Sequence, residues 1–437
     1  MRVSEWWERF WFREETLLRI GAFRILVMGL LLHDILGYGK TALLDARWVS
    51  EGSMGKTWRP LYLFEVLGLQ PIGLETAQAV YAVGLVAACC GLLGLFSRLS
   101  CAIAGCVGIY WVGLVYSFSK VHHDQVALAL TLLFLPFAPV GARLSLDSFA
   151  RRLARAWRGE DPRVVPERSV FAGTALRFTQ LTLAIGYGFS GATKLALAGW
   201  EWTNGYTLMG ILVRYDNSLS EVFTSSPELC RALSVGTLIV QGTFPLVLLV
   251  PATRWFYLPA AASFHLTTWH TMDTGPYVTL WYLLIAYVAL ERVPGWLAQQ
   301  LQSGRWRAGF ALFLVLGTTA LLSALMFRTW PAWALVFYPA PLYALWLRCT
   351  PRMGGVVHID LESRRGRLCA ACIDALDWGA RLDLRPGGGE LVFVSAQGER
   401  CSGPAARRAL WGRLPLLAPL RLWPSAGEPR TQSAQSR

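Results

Sequence analysis

The stretch YGFSGATKLALAGWEWTNGY, Tyr187–Tyr206, ends a long apolar run with a single lysine and then breaks into a segment rich in tryptophan and glycine. A cation at that depth of a membrane helix is costly, and such residues are usually oriented toward a partner, a cavity or a site. Lys194 lies near the end of its run, so its ammonium could instead snorkel to the interface while its stem covers apolar surface. Both interpretations require a helix that crosses a membrane.

The composition of the whole chain agrees with a membrane protein. Hydrophobic residues make up 54% of its 437 positions, charged residues make up 16%, and the mean hydropathy is +0.39. Hydrocarbon offers no partner for unpaired backbone groups, so open sheets are excluded and helices are predicted. We expect an all-α polytopic membrane protein of about ten transmembrane helices, followed by a small C-terminal α/β cytoplasmic module. The predicted spans are 16–37, 76–97, 99–119, 123–140, 171–196, 232–251, 254–273, 276–292, 308–326 and 331–348.

The distribution of positive charge predicts the topology. The net charge is +13, and arginines cluster in the loops between helices and in the tail. Topology signals and anionic lipid headgroups explain this charge, and without a nucleic-acid motif we expect membrane lipid rather than nucleic acid as a partner. The arginine-rich loop 142–170 should be cytoplasmic, which puts both termini of a multi-pass inner-membrane protein in the cytoplasm. Residues 1–15 read as an interfacial amphipathic helix, without a cleavable secretion signal.

Several polar residues are predicted at the level of Lys194. With this topology, His123 opens the fourth span at the outer side, His265 lies in the outer half of the seventh, and Asp34 ends the first. A lysine and histidines in a low-dielectric pocket are typical of proton transfer. Each residue also has an ordinary interpretation: His265 could donate to a carbonyl, Asp34 could pair with a loop cation, and His123 could be interfacial. His123 and its neighbouring histidine diverge on a helix and cannot chelate together, so no metal ligands are assigned.

Aromatic residues border the same level. Trp200 and Tyr206 follow the lysine in the quoted stretch. They favour an interfacial aromatic belt or, alternatively, a platform for a flat lipophilic ligand such as a quinone.

Four segments carry a family resemblance through their order and spacing over roughly residues 15–290. They are Gly21-Ala-Phe-Arg24-Ile-Leu with His33-Asp34-Ile35; His123; Tyr187 to Lys194-Leu195 with Trp200 and Gly205-Tyr206; and Ser263-Phe264-His265. This pattern resembles the horizontally transferred transmembrane (HTTM) domain, the membrane part that is shared with vitamin K-dependent γ-carboxylase. The resemblance assigns residues 16–292 to this domain and 293–349 to additional transmembrane helices.

The resemblance implies a chemistry for these residues. Lys194 would be the base that deprotonates a reduced, vitamin K-like quinone, with His123 at the reacting group and His265 as a further catalytic histidine. The same resemblance implies that the quinone contacts a set of five residues, which are Tyr187, Trp200, Tyr206, Asp34 and Arg24. In the carboxylase the product of this chemistry removes a glutamate γ-proton before carbon dioxide is captured. Bacterial relatives imply a small secreted peptide or protein as substrate.

The tail, residues 354–425, lacks long apolar runs and is predicted to form a small α/β module. The segments 356–360 and 390–395 read as strands, and 405–411 and 414–422 as helices. The polar residues 426–437 are predicted to be disordered.

The tail also contains Cys369-Ala-Ala-Cys372, preceded by a strand and Asp360 and expected to open a helix. This arrangement resembles the DCC family of thiol-disulfide oxidoreductases. It implies Cys369 as an attacking thiolate, with a pKa lowered by the helix N-terminus, and Cys372 as the resolving thiol. Half of a zinc site or two structural cysteines are the alternatives.

Three functions are therefore expected from the sequence. The first is a carboxylase-like membrane enzyme, of the carbon-carbon lyase or ligase type, that uses Lys194. The second is a membrane thiol-disulfide oxidoreductase that uses Cys369 and Cys372. The third is a non-enzymatic membrane protein of transport, peptide-toxin maturation or immunity.

Overall fold

The chain forms two compact units in a computed structural model. The first, here called the helical unit, comprises Met1–Asp147 and Pro166–Ala289; the second, the C-terminal unit, comprises Ser148–Val165 and Leu290–Arg437. The structure describes residues 3–36, 58–118, 123–163, 167–215, 218–272, 283–288, 355–377, 382–395, 398–411 and 414.

Helices dominate the helical unit, in agreement with the all-α prediction. They are α1 (Val3–Trp11), α2 (Leu17–Leu36), α3 (Tyr62–Leu67), α4 (Leu74–Leu93), α5 (Ser97–Phe118), α6 (His123–Phe134), α7 (Leu146–Arg158, which continues into the C-terminal unit), α8 (Val170–Ala198), α9 (Tyr206–Leu212), α10 (Ser218–Thr224), α11 (Pro227–Thr243), α12 (Leu246–Leu249) and α13 (Arg254–Met272). Helix α4 packs between α2 and α5, and α6 packs between α5 and α8. The long helix α8 packs on its other side against α11.

The number of membrane-spanning helices differs from the prediction. In the described part of the chain, two helical segments are long and apolar enough to cross a membrane, Leu74–Leu93 and Ser97–Leu114, rather than ten. Helix α2 has the length but carries Arg19, Arg24 and Asp34. Charged side chains are costly when they face lipid, so α2 depends on partners for these three residues inside the protein. The predicted spans 308–326 and 331–348, and all of 276–292 except residues 283–288, lie outside the described residues.

A buried carboxylate joins three parts of the helical unit. The strand β1 (Glu15–Thr16) pairs antiparallel with β2 (Arg168–Ser169) just before α8. One oxygen of Glu15 accepts a hydrogen bond from Arg19 Nη1 at 2.9 Å, and the other accepts one from Arg177 Nη2 at 3.1 Å. We call Glu15, Arg19 and Arg177 the Glu15 clamp. All three side chains are buried, so each charge is compensated by its neighbours rather than by water.

The Glu15 clamp also holds a distant segment. Arg19 Nη2 donates to the Ala286 carbonyl at 2.6 Å, and Gln180 Nε2 donates to the same oxygen at 2.7 Å. Ala286 lies in the 3₁₀ turn Leu284–Tyr287. The clamp therefore fixes the N-terminal strand, α2, α8 and this turn against one another.

The C-terminal unit contains a small α/β module. Its strands are β3 (Gly355–Ile359), β4 (Leu382–Pro386), β5 (Val392–Ser395) and β6 (Arg400–Ser402), and its helices are α14 (Arg364–Leu376) and α15 (Gly403–Trp411). The sheet order is β4-β3-β5-β6, with β3 and β4 parallel and the other pairs antiparallel. Val357, Phe393 and Leu410 are among its core residues. The predicted strands at 356–360 and 390–395 and the helix at 405–411 are confirmed, whereas the predicted helix at 414–422 lies outside the described residues except for Leu414.

Arginines of the loop between α6 and α8 take part in this module. Arg152 is buried and forms an ion pair with Asp374 on α14. Arg163 Nη1 donates to the Leu384 carbonyl at 2.6 Å, and Arg367 Nε donates to the Ala156 carbonyl at 3.2 Å. Part of the loop's positive charge is thus used to bind the module.

We expect Glu15→Gln to destabilise the helical unit strongly. The substitution leaves Arg19 and Arg177 buried near each other without a counter-charge, and breaking a buried ion pair in this way costs roughly 3–5 kcal/mol. The thermal unfolding midpoint of the detergent-solubilised protein measures the effect. Glu14→Gln is the matched control, because Glu14 is the exposed neighbour of Glu15. Equal midpoints for the two variants would contradict the role of the clamp.

Candidate functional site at the crossing of two helices

A close crossing of α8 and α11 organises the site. Tyr187, Gly191 and Lys194 follow one another at helical spacing on the same face of α8. A Cβ atom placed on Gly191 would lie 2.7 Å from the backbone nitrogen of Gly242 on α11. Only a residue without a side chain allows this approach, which brings the side chains on either side of the crossing together.

Lys194 lies on α8 just after the crossing, toward the C-terminal end of the helix. Its Nζ donates to Gln241 Oε1 at 2.8 Å and, more weakly, to the hydroxyl and carbonyl oxygens of Ser190 at 3.3 and 3.4 Å. The same nitrogen lies 5.5 Å from the centroid of the Trp202 ring. Among the described residues, no carboxylate pairs with it. The amine is therefore surrounded by neutral acceptors and an aromatic face.

A hydrogen-bonded pair of polar side chains lies on the other side of the crossing, where Tyr187 precedes Gly191 on α8. The Tyr187 hydroxyl and His265 Nε2 are 2.6 Å apart, and both side chains are buried. Phe244 stacks on the Tyr187 ring with centroids 4.1 Å apart. The structure thus brings together two of the residues that the sequence predicted for the site, Tyr187 on α8 and His265 on α13, and α8 is also the helix that carries Lys194.

Other predicted site residues lie elsewhere. Arg24 is fully buried on α2, where Nη1 donates to the Val140 carbonyl at 2.8 Å and Nη2 to the Leu144 carbonyl at 2.5 Å. A Cβ on Gly94 would lie 2.5 Å from Nη1 of Arg24, so this guanidinium fills a tight space between α4 and the following loops. Its observed contacts are those of a residue that stabilises the loop 140–144.

The remaining predicted residues are a half-buried aspartate, two exposed aromatic residues and one histidine whose side chain is not described. Asp34 contacts its neighbour His33, with Nδ1 of the histidine 3.2 Å from the carboxylate. Trp200 and Tyr206 are largely exposed, and Trp202 is the aromatic residue that contacts Lys194. The side chain of His123 lies outside the described part of the chain.

Sequence reasoning missed Gln241, which is the nearest partner of the Lys194 amine. Gln241 is buried near the end of α11. A lone amide in the otherwise apolar run Leu238-Ile-Val-Gln241 was the available signal, because a buried amide must find a hydrogen-bond partner.

The cysteines of the module differ from their prediction. Helix α14 begins at Arg364, capped by the Ser363 hydroxyl, which accepts from the Gly366 N–H at 3.0 Å. Cys369 therefore lies in the second turn rather than at the N-terminus. Burial raises the pKa of the Cys369 thiol and of the Cys372 thiol, so the expected lowered pKa is wrong. Both residues are free thiols, and no group of three or more metal-binding side chains is found in the described part of the chain.

These features define a helical membrane protein with a lysine held at a helix crossing. The chain belongs to the HTTM domain family, whose model matches residues 12–290, more than half of the sequence and close to the predicted extent. Proteins of this family are membrane proteins related to vitamin K-dependent carboxylases. Comparison with curated proteins and with solved structures gives no significant match.

We expect Gly191→Ala to separate α8 from α11. Its methyl group would meet the backbone of Gly242, and such overpacking costs about 1–3 kcal/mol. The thermal unfolding midpoint in detergent should fall. Gly186→Ala on the same helix is the matched control, because no atom lies within 4 Å of an added Cβ there. A midpoint for Gly191→Ala equal to that of the control would contradict the close crossing.

The raised pKa of Cys369 and Cys372 predicts slow alkylation at neutral pH. A thiol whose pKa lies above its ordinary value carries less thiolate at pH 7.5, and the thiolate is the species that reacts. Alkylation of the peptide that contains both cysteines, followed by mass spectrometry, should be slower in the folded than in the denatured protein. The rate should rise as the pH passes beyond the ordinary thiol range. Faster reaction in the folded protein would indicate an activated thiolate instead.

Proposed function

We propose that this protein is a membrane enzyme resembling vitamin K-dependent γ-carboxylase, in which Lys194 acts as a base on a reduced quinone at the extracytoplasmic side. The observation that supports the proposal most is the environment of the amine, which is held at 2.8 Å by the neutral amide oxygen of Gln241. A base needs a free lone pair, and a carboxylate partner would instead hold the amine in its charged form. None of the described carboxylates pairs with Lys194.

The residues around Lys194 fit a reduced quinone. The ring of Trp202 offers a flat face 5.5 Å from Lys194 Nζ. The indole N–H of Trp202 is buried and has no hydrogen-bond partner among the described residues, and a ligand oxygen would satisfy it. When bound, a reduced quinone supplies an acidic hydroxyl and the electrons for a reaction with oxygen.

Each side chain at the crossing then has a role. Lys194 Nζ accepts the proton of the quinol hydroxyl, while Gln241 and Ser190 hold the amine in position. Tyr187 lies about 10 Å below Lys194 along the helix axis, since the two residues are two turns apart. The hydrogen-bonded pair of Tyr187 and His265 is a second place where a proton can be held.

The proposal includes a multi-pass topology with both termini in the cytoplasm. The arginine-rich loop 142–170 supports it through the positive-inside rule. At the outer side, the product of the reaction between the deprotonated quinol and oxygen would act on a small secreted peptide or protein. The thiol-disulfide alternative has no supporting observation, because burial raises the pKa of Cys369 and Cys372.

The direct test is turnover of a reduced quinone by the purified protein in proteoliposomes. Loss of a positioned base lowers a rate by about 10²–10⁴-fold, so Lys194→Ala should reduce oxygen-dependent consumption of vitamin K hydroquinone by at least about a hundredfold. Quinol binding, measured separately by equilibrium binding, should weaken much less.

Thr193→Ala is the matched control, because it alters the neighbouring residue and leaves the amine in place. Turnover in this variant should remain close to that of the unmodified protein. Unchanged turnover in Lys194→Ala would overturn the proposal, and no turnover in the unmodified protein would favour a non-enzymatic role.

A further inference from the structure

A short segment before α4 is anchored on α5 by one aromatic side chain. Phe64 on α3 is 1% exposed, and its ring stacks on Tyr110 of α5 with centroids 5.6 Å apart. A Cβ on Gly113 would lie 2.2 Å from Phe64 Cε1, so Phe64 occupies a notch that the glycine leaves open. Helix α3 then ends at Gly68, whose φ of 63° suits a residue without a side chain.

Three hydrogen bonds fix the backbone on both sides of α3. The Arg59 N–H donates to the Ser117 carbonyl at 2.8 Å, and the Leu61 N–H donates to the Ser117 hydroxyl at 3.2 Å. The Tyr110 hydroxyl donates to the Gln70 carbonyl at 3.0 Å. Ser117 lies just beyond the apolar segment Ser97–Leu114, and α4 begins shortly after α3 ends. Helix α3 is therefore held at the same end of both helices that can span the membrane.

The outer face of α3 is apolar and exposed. The exposed fractions are 80% for Tyr62, 49% for Leu63, 62% for Val66 and 59% for Leu67. At 3.6 residues per turn these four side chains cover an arc of about 140°, with Phe64 and Glu65 outside it. Glu65 is the only charged residue between positions 60 and 73. Four exposed apolar side chains on an anchored helix are expected at a contact surface rather than in water.

We propose that this face lies in the lipid bilayer, so that α3 is an interfacial helix lying along the membrane surface and its outer side chains contact acyl chains. Lipid is favoured as the occupant by continuity, because the outward face of α4 is also apolar and exposed at Val83 and Val86. The position of α3 at the end of the two helices that are long and apolar enough to span a membrane coincides with the depth at which amphipathic helices bind membranes. Glu65 lies beside Tyr62, just beyond the edge of the apolar arc, so a hydroxyl and a carboxylate are placed together where they reach the headgroups. This inference does not depend on the chemistry of Lys194.

Photolabelling from the lipid phase tests the proposal. The full-length protein is reconstituted in phosphatidylcholine vesicles that contain a phospholipid with a diazirine on its acyl chain, and labelled peptides are identified by mass spectrometry. Labelling of Tyr62–Leu67 should be within about twofold of labelling around Val83 and Val86, as expected for a helix with its apolar face in the bilayer. Labelling about tenfold weaker would overturn the proposal, since an aqueous surface collects little of such a probe.

The variant Val66→Asp tests whether the apolar face of α3 is responsible for the labelling. Glu65→Gln, outside that face, is its matched control. Val66→Asp should reduce labelling of α3 about fivefold without changing labelling of α4, because a carboxylate is expelled from the acyl region. Glu65→Gln should leave both unchanged.

Cross-linking and particle size distinguish a second copy as the occupant. If two copies met through this face, α3 of the unmodified protein would be unlabelled and Val66→Asp would convert a dimer into a monomer. That result would also overturn the proposal. If Val66→Asp does not fold, labelling of the unmodified protein still decides between the outcomes.

Discussion

A carboxylate shared by two buried guanidinium groups is the interaction on which the helical unit depends. Glu15 is the only acidic member of the clamp, and its two oxygens are each committed to a different arginine. Isolated charges are expensive inside a membrane protein, so Arg19 on α2 and Arg177 on α8 are tolerated there because Glu15 lies between them. The same arrangement brings the turn at Ala286 back onto α8, and therefore links the beginning of the matched domain to its end.

Helix α8 also determines the geometry of the site. Helix α8 carries Arg177 near one end and Lys194 near the other, and the glycine contact with α11 lies close to the lysine. A rigid helix that is fixed at both of these points holds the lysine against Gln241 and the tyrosine against His265. The polar groups of the site thus come from three helices, but their positions are determined by one helix and its two anchoring contacts.

Periodicity and composition were sufficient to predict that most of the chain is helical and that strands lie around positions 356 and 392. They also placed Lys194 and His265 in the same helical unit. They were insufficient where the outcome depended on partners far along the chain. Apolar runs alone predicted ten spans, because a local pattern does not reveal that charged residues within a run, such as Arg24 and Arg177, bind partners far along the chain. Gln241 was missed since an amide inside an apolar run does not indicate which residue it will face. The start of α14 was expected at the cysteines, whereas the Ser363 hydroxyl caps the helix well before Cys369.

The contact between Arg152 and Asp374 has a consequence for the order of events during synthesis. Arg152 and Arg163 leave the ribosome well before strand β3 and helix α14 exist, so at that stage neither arginine can make the contacts seen in the folded protein. Once the module folds, the same guanidinium groups bind Asp374 and the Leu384 carbonyl. The contacts of these two arginines can therefore form only late, after more than two hundred further residues have been added to the chain.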